Sequence, residues 1–594
     1  MEAINTNNTL IRKTILSMFG GSLAAMVTAS VALMADTILA GAVFGKAAIA
    51  AVAVGTPIIN IFQALTQTII NGASIRMSVC AGKGETEEVQ RSFALAVLSS
   101  AILGLIFIIL CQLFASKLVI AFGGSEDIAH LANMYLRGAT GCIVFGTLNL
   151  FMSKTLALFG LQKVIFRSSF IAVSLNIVFS LILVNVLPQN IAIIGLGAGT
   201  WLGGGIAAFS SYISLKKHNI SLKLKFKDIK FSTVTKFFSR GIPSSGNSLA
   251  DGVVSGVVNN IIVGSSPNGV VMLSVFTAVK SIVTFATAII QAINLSAAPL
   301  FGIMYGSRDK NGLLRSLKES IRLAVIALFA CAVFVVATSM IWARIFDMKG
   351  IGEFYEGLAI CMFIYLPLTA VVRITTQFFE SLEKPFMGFL YSSIPDSIIF
   401  PVLLALLLPV LGYNGIWISY SLNVIPFIIG LYIIRSVTNK SIKLSYNRML
   451  CIDKEIRENV PKIDISINSD NSDVSFISDK VYTFLKDEGV EDKTAHTTAL
   501  CLEEISADFV EHTNAVKTKK KKDDIIMDIK LFADEDMLRI IIRNEAPKYN
   551  PLDFVPKECV GTEKMGVRLA KKLAKTINYN YVYKMNVVTI DINK

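Results

Sequence analysis

Apolar runs far longer than a soluble core helix needs recur from about residue 14 to residue 437, each interrupted by a short polar or charged stretch. About 20 apolar residues carry a helix across a bilayer. On that measure the chain holds twelve spans, at roughly 14–43, 50–78, 93–121, 130–158, 164–187, 192–214, 237–263, 270–300, 316–345, 356–380, 387–410 and 414–436. An even count places both ends on one side. After Arg435 the pattern changes: PKIDISI alternates as a strand does, while SDVSFISDKVYTFLKDEG and DKTAHTTALCLEEISADFVEHT have helical period. IIMDIKLF and MLRIIIRN alternate about a short ADED turn, TEKMGVRLAKKLAKTI reads as a basic helix, and YNYVYK and NVVTIDI as two closing strands. Elements in that order predict one sheet with helices on one face. The expected fold is an all-α polytopic membrane protein followed by a C-terminal α/β domain of the α+β sandwich type.

The membrane part repeats itself. Segment 62–101, FQALTQTIINGASIRMSVCAGKGETEEVQRSFALAVLSSA, is echoed by 285–325, FATAIIQAINLSAAPLFGIMYGSRDKNGLLRSLKESIRLAV. Each is an apolar helix ending in small residues, a turn of glycine and charge, and a new amphipathic helix. Two six-helix lobes follow, at 1–215 and 237–437, joined by a basic connector at 216–236; a linker at 438–459 leads to the domain at 460–594. Many secondary transporters are built from such repeats, with the substrate pathway between the halves.

Composition agrees, with 53% hydrophobic and 17% charged residues in 594. Lys and Arg exceed Asp and Glu by 13, but residues 1–444 hold 32 basic against 17 acidic residues and 445–594 hold 24 against 26. The excess belongs to the membrane part and does not suggest a nucleic-acid partner. Loops on the side of the termini are basic (KGETEEVQR, LQKVIFR, KKHNISLKLKFKDIK, SRDKNGLLRSLK, LEKP), whereas GGSEDIAH, LPQN, SSPNG and GYNG opposite them are nearly free of Lys and Arg. The positive-inside rule then puts both termini and the C-terminal domain in the cytoplasm of a multi-pass plasma-membrane protein. Eight cysteines contain no C-x-x-C pair and suggest neither zinc nor a disulfide framework.

An ionisable side chain at bilayer depth costs roughly 2.5–3.5 kcal/mol on insertion scales and is a functional candidate by default. Asp36, Asp251, Glu380, Asp396, Lys280 and Arg373 are the candidates. Arg373 and Glu380, seven apart, share a helical face near the end of the tenth span and read as a structural pair. Asp396, beside Pro395, caps a broken helix or serves transport, and Asp251 serves transport or neutralises Lys280.

The first two spans contain MADTILAGAVFGKAAIAAVAVGTPI, the seventh opens RGIPSSGNSLADGVVSGVVNNIIVG, and SLNIVFS and IIGLGAGTW mark the fifth and sixth. In these segments the chain resembles the multidrug and toxic compound extrusion (MATE) transporters over nearly all of residues 10–437. The resemblance implies a secondary antiporter coupled to H+ or Na+ that exports small organic cationic or amphipathic compounds. It places Asp36 at the coupling site, with Asn176 nearby, although Ser180 stands where better-studied members have a second carboxylate. Asp251 falls where some members carry a coupling Glu.

In the C-terminal domain Leu502, Ile505 and Phe509 form an apolar stripe, and Glu504, Asp508 and His512, spaced by four, a polar one. Such a polar stripe is either a solvated face or a place for Mg2+. RNEAPKYNPLD, GTEKMGVRLAKKLA and KMNVVTIDI follow it, and in that order the segments resemble the ATP-binding domain of the GHKL superfamily, closest to anti-sigma factor serine kinases. The resemblance implies ATP with Mg2+, a catalytic role for Glu504, metal binding by Asp508, and a nucleotide pocket of Asp508, His512, Asn544, Ala546, Gly561 and Gly566. Asp508, Asn544 and Ala546 stand where the family has Asn, Asp and Gly. Whether the domain adds ATPase or serine kinase activity to transport, or acts as a regulatory module binding a cytoplasmic protein, stays open. The expected partners are a small-molecule substrate, membrane lipid and that regulatory protein. No G-x-x-x-x-G-K-[ST] loop supports a primary pump; a GHKL-type membrane sensor kinase and a flippase for lipid-linked saccharides are the alternatives.

Overall fold

The computed structural model describes residues 7–44, 46–121, 126–189, 191–218, 233–239, 269–346, 350–438, 462–468, 471–517, 526–534, 536–553 and 565–594, with Met348 and scattered positions between 220 and 265. A first group of helices comprises α1 (Asn7–Phe44), α2 (Lys46–Lys83), α3 (Thr86–Ala121), α4 (Glu126–Ala139), α5 (Cys142–Leu158), α6 (Gln162–Val186) and α7 (Ile194–Lys217). A second comprises α8 (Gly269–Ala286), α9 (Ala288–Gly306), α10 (Lys310–Ala337), α11 (Ser339–Ile345), α12 (Gly352–Ile360), α13 (Leu366–Ser381), α14 (Pro385–Ser393), α15 (Phe400–Leu411), α16 (Tyr413–Leu422) and α17 (Val424–Thr438). Helix occupies each expected span but the seventh, which lies largely outside the described residues, as do most of the connector and the linker. Among the described residues six helices are long and apolar enough to cross a membrane, or eight if two bent pairs each count as one span.

The first of those bends has a local cause. The fourth expected span breaks by 44° between α4 and α5. There the Trp201 indole donates to the Gly138 carbonyl at 3.0 Å, and a Cβ on Gly141 would sit 2.4 Å from the Trp201 ring. In the second group π-helical turns at Cys361–Tyr365 and Ile394–Ile399 interrupt the spans. Pro367, Pro395 and Pro401 each remove a backbone donor in or beside these turns.

The two groups are not packed evenly along their length. At one end the first group has a core of its own, from Ala48, Val52, Ile58, Leu136 and Leu196 among others. At the other end, where the C-terminal domain lies, one continuous core joins Ile15 and Met18 of α1 and Ile70 and Met77 of α2 to Leu300, Ile303 and Leu317 of the second group. Here the backbones nearly touch: a Cβ on Gly82 would lie 2.1 Å from the Ile303 oxygen, and one on Gly306 2.1 Å from the Val79 oxygen. Ser296 donates to Ser22 at 2.9 Å and Ser22 to Gln162 at 3.0 Å, a buried polar chain across the same seam. The lobes are therefore closed on the side of the C-terminal domain.

That domain consists of β1 (Lys462–Asn468), α18 (Asn471–Asp487), α19 (Asp492–Lys517), β2 (Ile526–Ala533), β3 (Met537–Asn544), α20 (Met565–Leu573), β4 (Thr576–Val582) and β5 (Met585–Asn593). The strands form one antiparallel sheet in the order β1-β2-β3-β5-β4. The basic helix is shorter than expected: it stops at Leu573, and Thr576 and Ile577 instead pair with Asp591 and Ile590 of β5, as β-branched residues beside an open strand favour. Ile529, Leu531, Ile540, Ile542, Val588 and Ile590 pack under Ile477, Val481, Leu502, Ile505 and Phe509 of α18 and α19.

The opposite sheet face is buried as well. Ile526, Ile541, Val582, Tyr583, Met585 and Val587 join the core of the helical lobes. Beside them lies a charge cluster that is almost completely excluded from solvent. Arg543 Nη1 donates to Asp309 Oδ2 at 2.7 Å and Nη2 to Ser307 Oγ at 2.8 Å, and Lys530 Nζ meets Asp309 at 2.8 Å and Asp464 at 3.3 Å. Asp528 lies 3.6 Å from Arg543. Asp309 also caps α10, its Oδ1 accepting from Gly312 N at 2.9 Å. Burial alone would raise the Asp309 carboxyl, but Lys530 and Arg543 outweigh it and hold the group below the usual carboxylate range. For Asp528 burial prevails over the same two cations and the pKa is raised.

Candidate functional site

Two adjoining chambers of about 290 and 480 Å³, the first between the lobes and the second within the second lobe, have a size that suits a small organic ligand. They share Gln291 and Asn294 of α9 and Gln377 and Glu380 of α13. The first chamber is walled by both lobes: Gln67, Asn71 and Ser74 of α2 and Lys154 of α5 face the α9 and α13 residues. Lys154 Nζ donates to Asn71 Oδ1 at 2.5 Å, and its charge and that of Glu380 act on one another across the chamber.

The second chamber belongs to the second lobe. Arg373 and Asp396 form an ion pair in it at 2.6 Å, and Asn423 Nδ2 donates to the other Asp396 oxygen at 3.1 Å. Arg373 thus has an ion-pair partner on another helix, 23 residues on, besides Glu380 within electrostatic reach on its own helix, and Asp396 is an ion-pair member rather than a simple cap. Tyr365 and Tyr420 stack with ring centres 4.2 Å apart and line the same wall. The two π-helical turns explain the geometry, because one carries Tyr365 and the other Asp396; such turns recur at functional sites. Asn294 Oδ1 and Thr376 Oγ1 are buried on this wall with no hydrogen-bond partner among the described residues, groups suited to a polar ligand or water.

Of the residues singled out from sequence, Glu380, Arg373, Asp396 and Lys280 converge on these chambers. Asp36 lies on α1 but its side chain is outside the described residues, and Asp251, with its suggested pairing to Lys280, is also outside them. Asn176 is buried between α6 and α7, where its Oδ1 accepts from Ser180 at 3.1 Å and Thr200 at 3.2 Å. Sequence reasoning passed over Lys154, although a lysine in the apolar run MSKTLAL was signal enough, and over the amides of Gln67, Asn71, Gln291 and Asn294.

A second candidate site lies in the C-terminal domain. Glu504 is half-buried on α19 and Asp508, one turn on, is buried. The Tyr549 hydroxyl donates to Asp508 Oδ2 at 2.8 Å, and its ring stacks on His512 at 3.8 Å. Asn544 Oδ1 accepts from Asn586 Nδ2 at 2.8 Å and from Ala546 N at 3.3 Å, while the buried Asn544 Nδ2 has no partner among the described residues. Gly561 is outside the described residues, and Gly566 opens α20, which packs against α19. Two carboxylates one turn apart suit Mg2+ shared with phosphate oxygens, and the free donor on Asn544 suits a base edge. Tyr549 rests on the Asp508 and His512 side of this stripe. Among the described residues no group of three His, Cys, Asp or Glu is placed to hold a metal by itself.

Residues 22–182 match the MatE family. The fold is that of solved MATE transporters. An outward-facing multidrug resistance MATE family transporter of the MOP superfamily shares 19% identity, with 72% of this chain and 96% of that chain covered and a TM-score of 0.63. A mutant of the Vibrio cholerae MATE transporter VcmN shares 14%, with 74% and 99% covered and a TM-score of 0.65. A MOP superfamily transporter from Pyrococcus furiosus, described as having a binding pocket of reversed polarity that suggests a different function, shares 18%, with 74% and 99% covered and a TM-score of 0.62. No curated protein matches the chain in sequence. The transporters are spanned almost whole, and about a quarter of this chain extends beyond what they match.

Proposed function

We propose that the chain is a secondary transporter of the plasma membrane with twelve spans and both termini cytoplasmic, which exchanges H+ or Na+ for an amphipathic organic solute. The observation that carries this is the inter-lobe chamber, to which one lobe brings Lys154 and the other Glu380. A site built from both lobes is remade whenever they rock, so a cation or substrate that binds one arrangement better shifts the population toward it. The chambers hold three bases (Lys154, Lys280, Arg373) and two acids (Glu380, Asp396) among their described lining residues. That balance favours a solute with polar groups of both kinds and an apolar face for Tyr365 and Tyr420 over a simple organic cation. The assignment of Asp36 as a coupling carboxylate belongs to the same reading.

In vesicles without ATP, an imposed proton or sodium gradient is expected to drive substrate movement, and substrate to drive cation movement. A requirement for ATP in each turnover would overturn the reading. Asp36→Asn is expected to remove the coupled flux at unchanged protein level; unaltered flux would take Asp36 out of the mechanism.

For the C-terminal domain the proposed role is regulation by a Mg-nucleotide held by Glu504, Asp508, His512, Asn544 and Ala546, with Gly561 and Gly566 on the lid side. Bound nucleotide would supply phosphate oxygens to complete the metal shell beside Asp508. Titration calorimetry on the full-length chain is expected to detect Mg-ATP, and Asp508→Ala to weaken it at least about tenfold, the loss of a charged ligand being worth more than 1.4 kcal/mol. No heat at millimolar nucleotide would leave the domain as a protein-interaction module.

A further inference from the structure

We propose that the C-terminal domain is a clamp: the tip of the β4–β5 hairpin and the Asp309 charge cluster hold both lobes shut on the domain's side, and this grip has to release before the lobes can part there. The contacts are divided between the lobes. On the first, Tyr583 N donates to the Leu158 oxygen at 2.9 Å and Asn580 Nδ2 to the Ala81 oxygen at 3.0 Å. On the second, the Tyr583 hydroxyl donates to the Ser296 carbonyl, and Arg543 and Lys530 hold Asp309. One residue thus bonds to both lobes, next to the Ser296–Ser22–Gln162 chain that crosses their seam. Parting the lobes on this side separates Leu158 from Ser296, and a rigid sheet cannot follow both.

The hairpin tip is shaped for this place rather than for itself. A two-residue turn with positive φ at both positions favours Asn-Gly; here the positions are Tyr583 and Lys584, at φ 54° and 57°. Tyr583 is nevertheless completely buried. The receiving turns of the first lobe are shaped to match. A Cβ on Gly160 (φ +72°) would lie 2.8 Å from Lys584 Cγ and 2.9 Å from its amide nitrogen, and one on Gly84 (φ +84°) 2.9 Å from Asn578 Cβ. Glycine at both turns lets the strand approach.

The clamp is also next to the nucleotide site. Arg543 grips Asp309 on one sheet face, and its neighbour Asn544 bonds Asn586 beneath Tyr549 on the other. Asn586 in turn lies three residues from the Tyr583 tip. A ligand that rearranges the Asn544–Asn586 pair therefore acts within one residue of one anchor and three of the other.

The test is hydrogen–deuterium exchange on the full-length chain in lipid nanodiscs, with Tyr583→Ala and, separately, Asp309→Asn. Asp309 is the lobes' contribution to the cluster, so Asp309→Asn leaves the domain with Lys530 and Arg543 balanced by Asp464 and Asp528 and able to stay folded. Amides in 78–86, 156–162 and 294–308 are expected to exchange about tenfold faster in either variant while β2, β3 and α19 keep their protection. Faster exchange confined to 580–586, with the lobe ends unchanged in both variants, would overturn the clamp. The proposal rests on the transporter reading only for its role in the cycle. The exchange experiment needs no substrate, so a failed flux assay and a failed clamp are told apart.

Discussion

Glu380→Gln is expected to reduce gradient-driven substrate movement on the order of a hundredfold, equivalent to about 2.7 kcal/mol in rate, without lowering the amount of folded protein. Glu380 sits where the two chambers meet, with Lys154 of the other lobe and Arg373 of its own within electrostatic reach. An amide of the same shape keeps the packing but cannot change charge state as a cation or substrate arrives. The bland alternative is that Glu380 only neutralises Lys154. A double variant, Glu380→Gln with Lys154→Met, separates the two ideas, since a purely structural pair can be replaced by neutral side chains at little cost. Flux restored in the double variant would remove Glu380 from the transport mechanism; flux still lost would place it there.

The second large effect is on stability. Arg543→Ala is expected to destabilise the docked C-terminal domain by about 3–5 kcal/mol, because it leaves Lys530 alone to balance Asp309 and Asp528, all three closed to water, with Asp464 at the edge of the cluster. Arg539 provides the control. It lies on the same strand and pairs with Asp591 at 2.6 and 3.0 Å, but the pair reaches solvent, with side chains 20% and 11% exposed. Arg539→Ala should cost about 1 kcal/mol. Thermal unfolding and limited proteolysis of the full-length chain measure both, and equal losses at the two positions would mean that the buried cluster contributes nothing special.

Much of the helical plan was legible because hydropathy needs no knowledge of partners: each long apolar run that the structure describes is helical. The chambers were half legible. Glu380, Arg373 and Asp396 stand out as charges in apolar sequence, but their pairing depends on helices that meet only after folding, and the seven-residue spacing of Arg373 and Glu380 pointed to a neighbour on the same helix. The two π-helical turns change which residues face inward, and helical period alone does not reveal them. In the C-terminal domain the strands and helices were found in order, yet nothing local in β2 and β3 singles out Asp528, Lys530 and Arg543, because their partner Asp309 is more than 200 residues away. The available signal was continuity. Ile540, Ile541 and Ile542 run together, as do Val587 and Val588, and an unbroken apolar run in a strand means that both faces are covered.

A sheet buried on both sides has a consequence for how the chain is made. β2 through β5 follow every span in the sequence, and domains generally form in the order of their synthesis, so the lobes are inserted before the last strands exist. Ile541, Met585, Val587 and Tyr583 then find their cover only on lobes that are already assembled. A chain with misplaced spans presents no Leu158, Ser296 and Asp309 in register, and keeps an uncovered apolar sheet face. Completion of the final hairpin thereby reports that membrane assembly has succeeded.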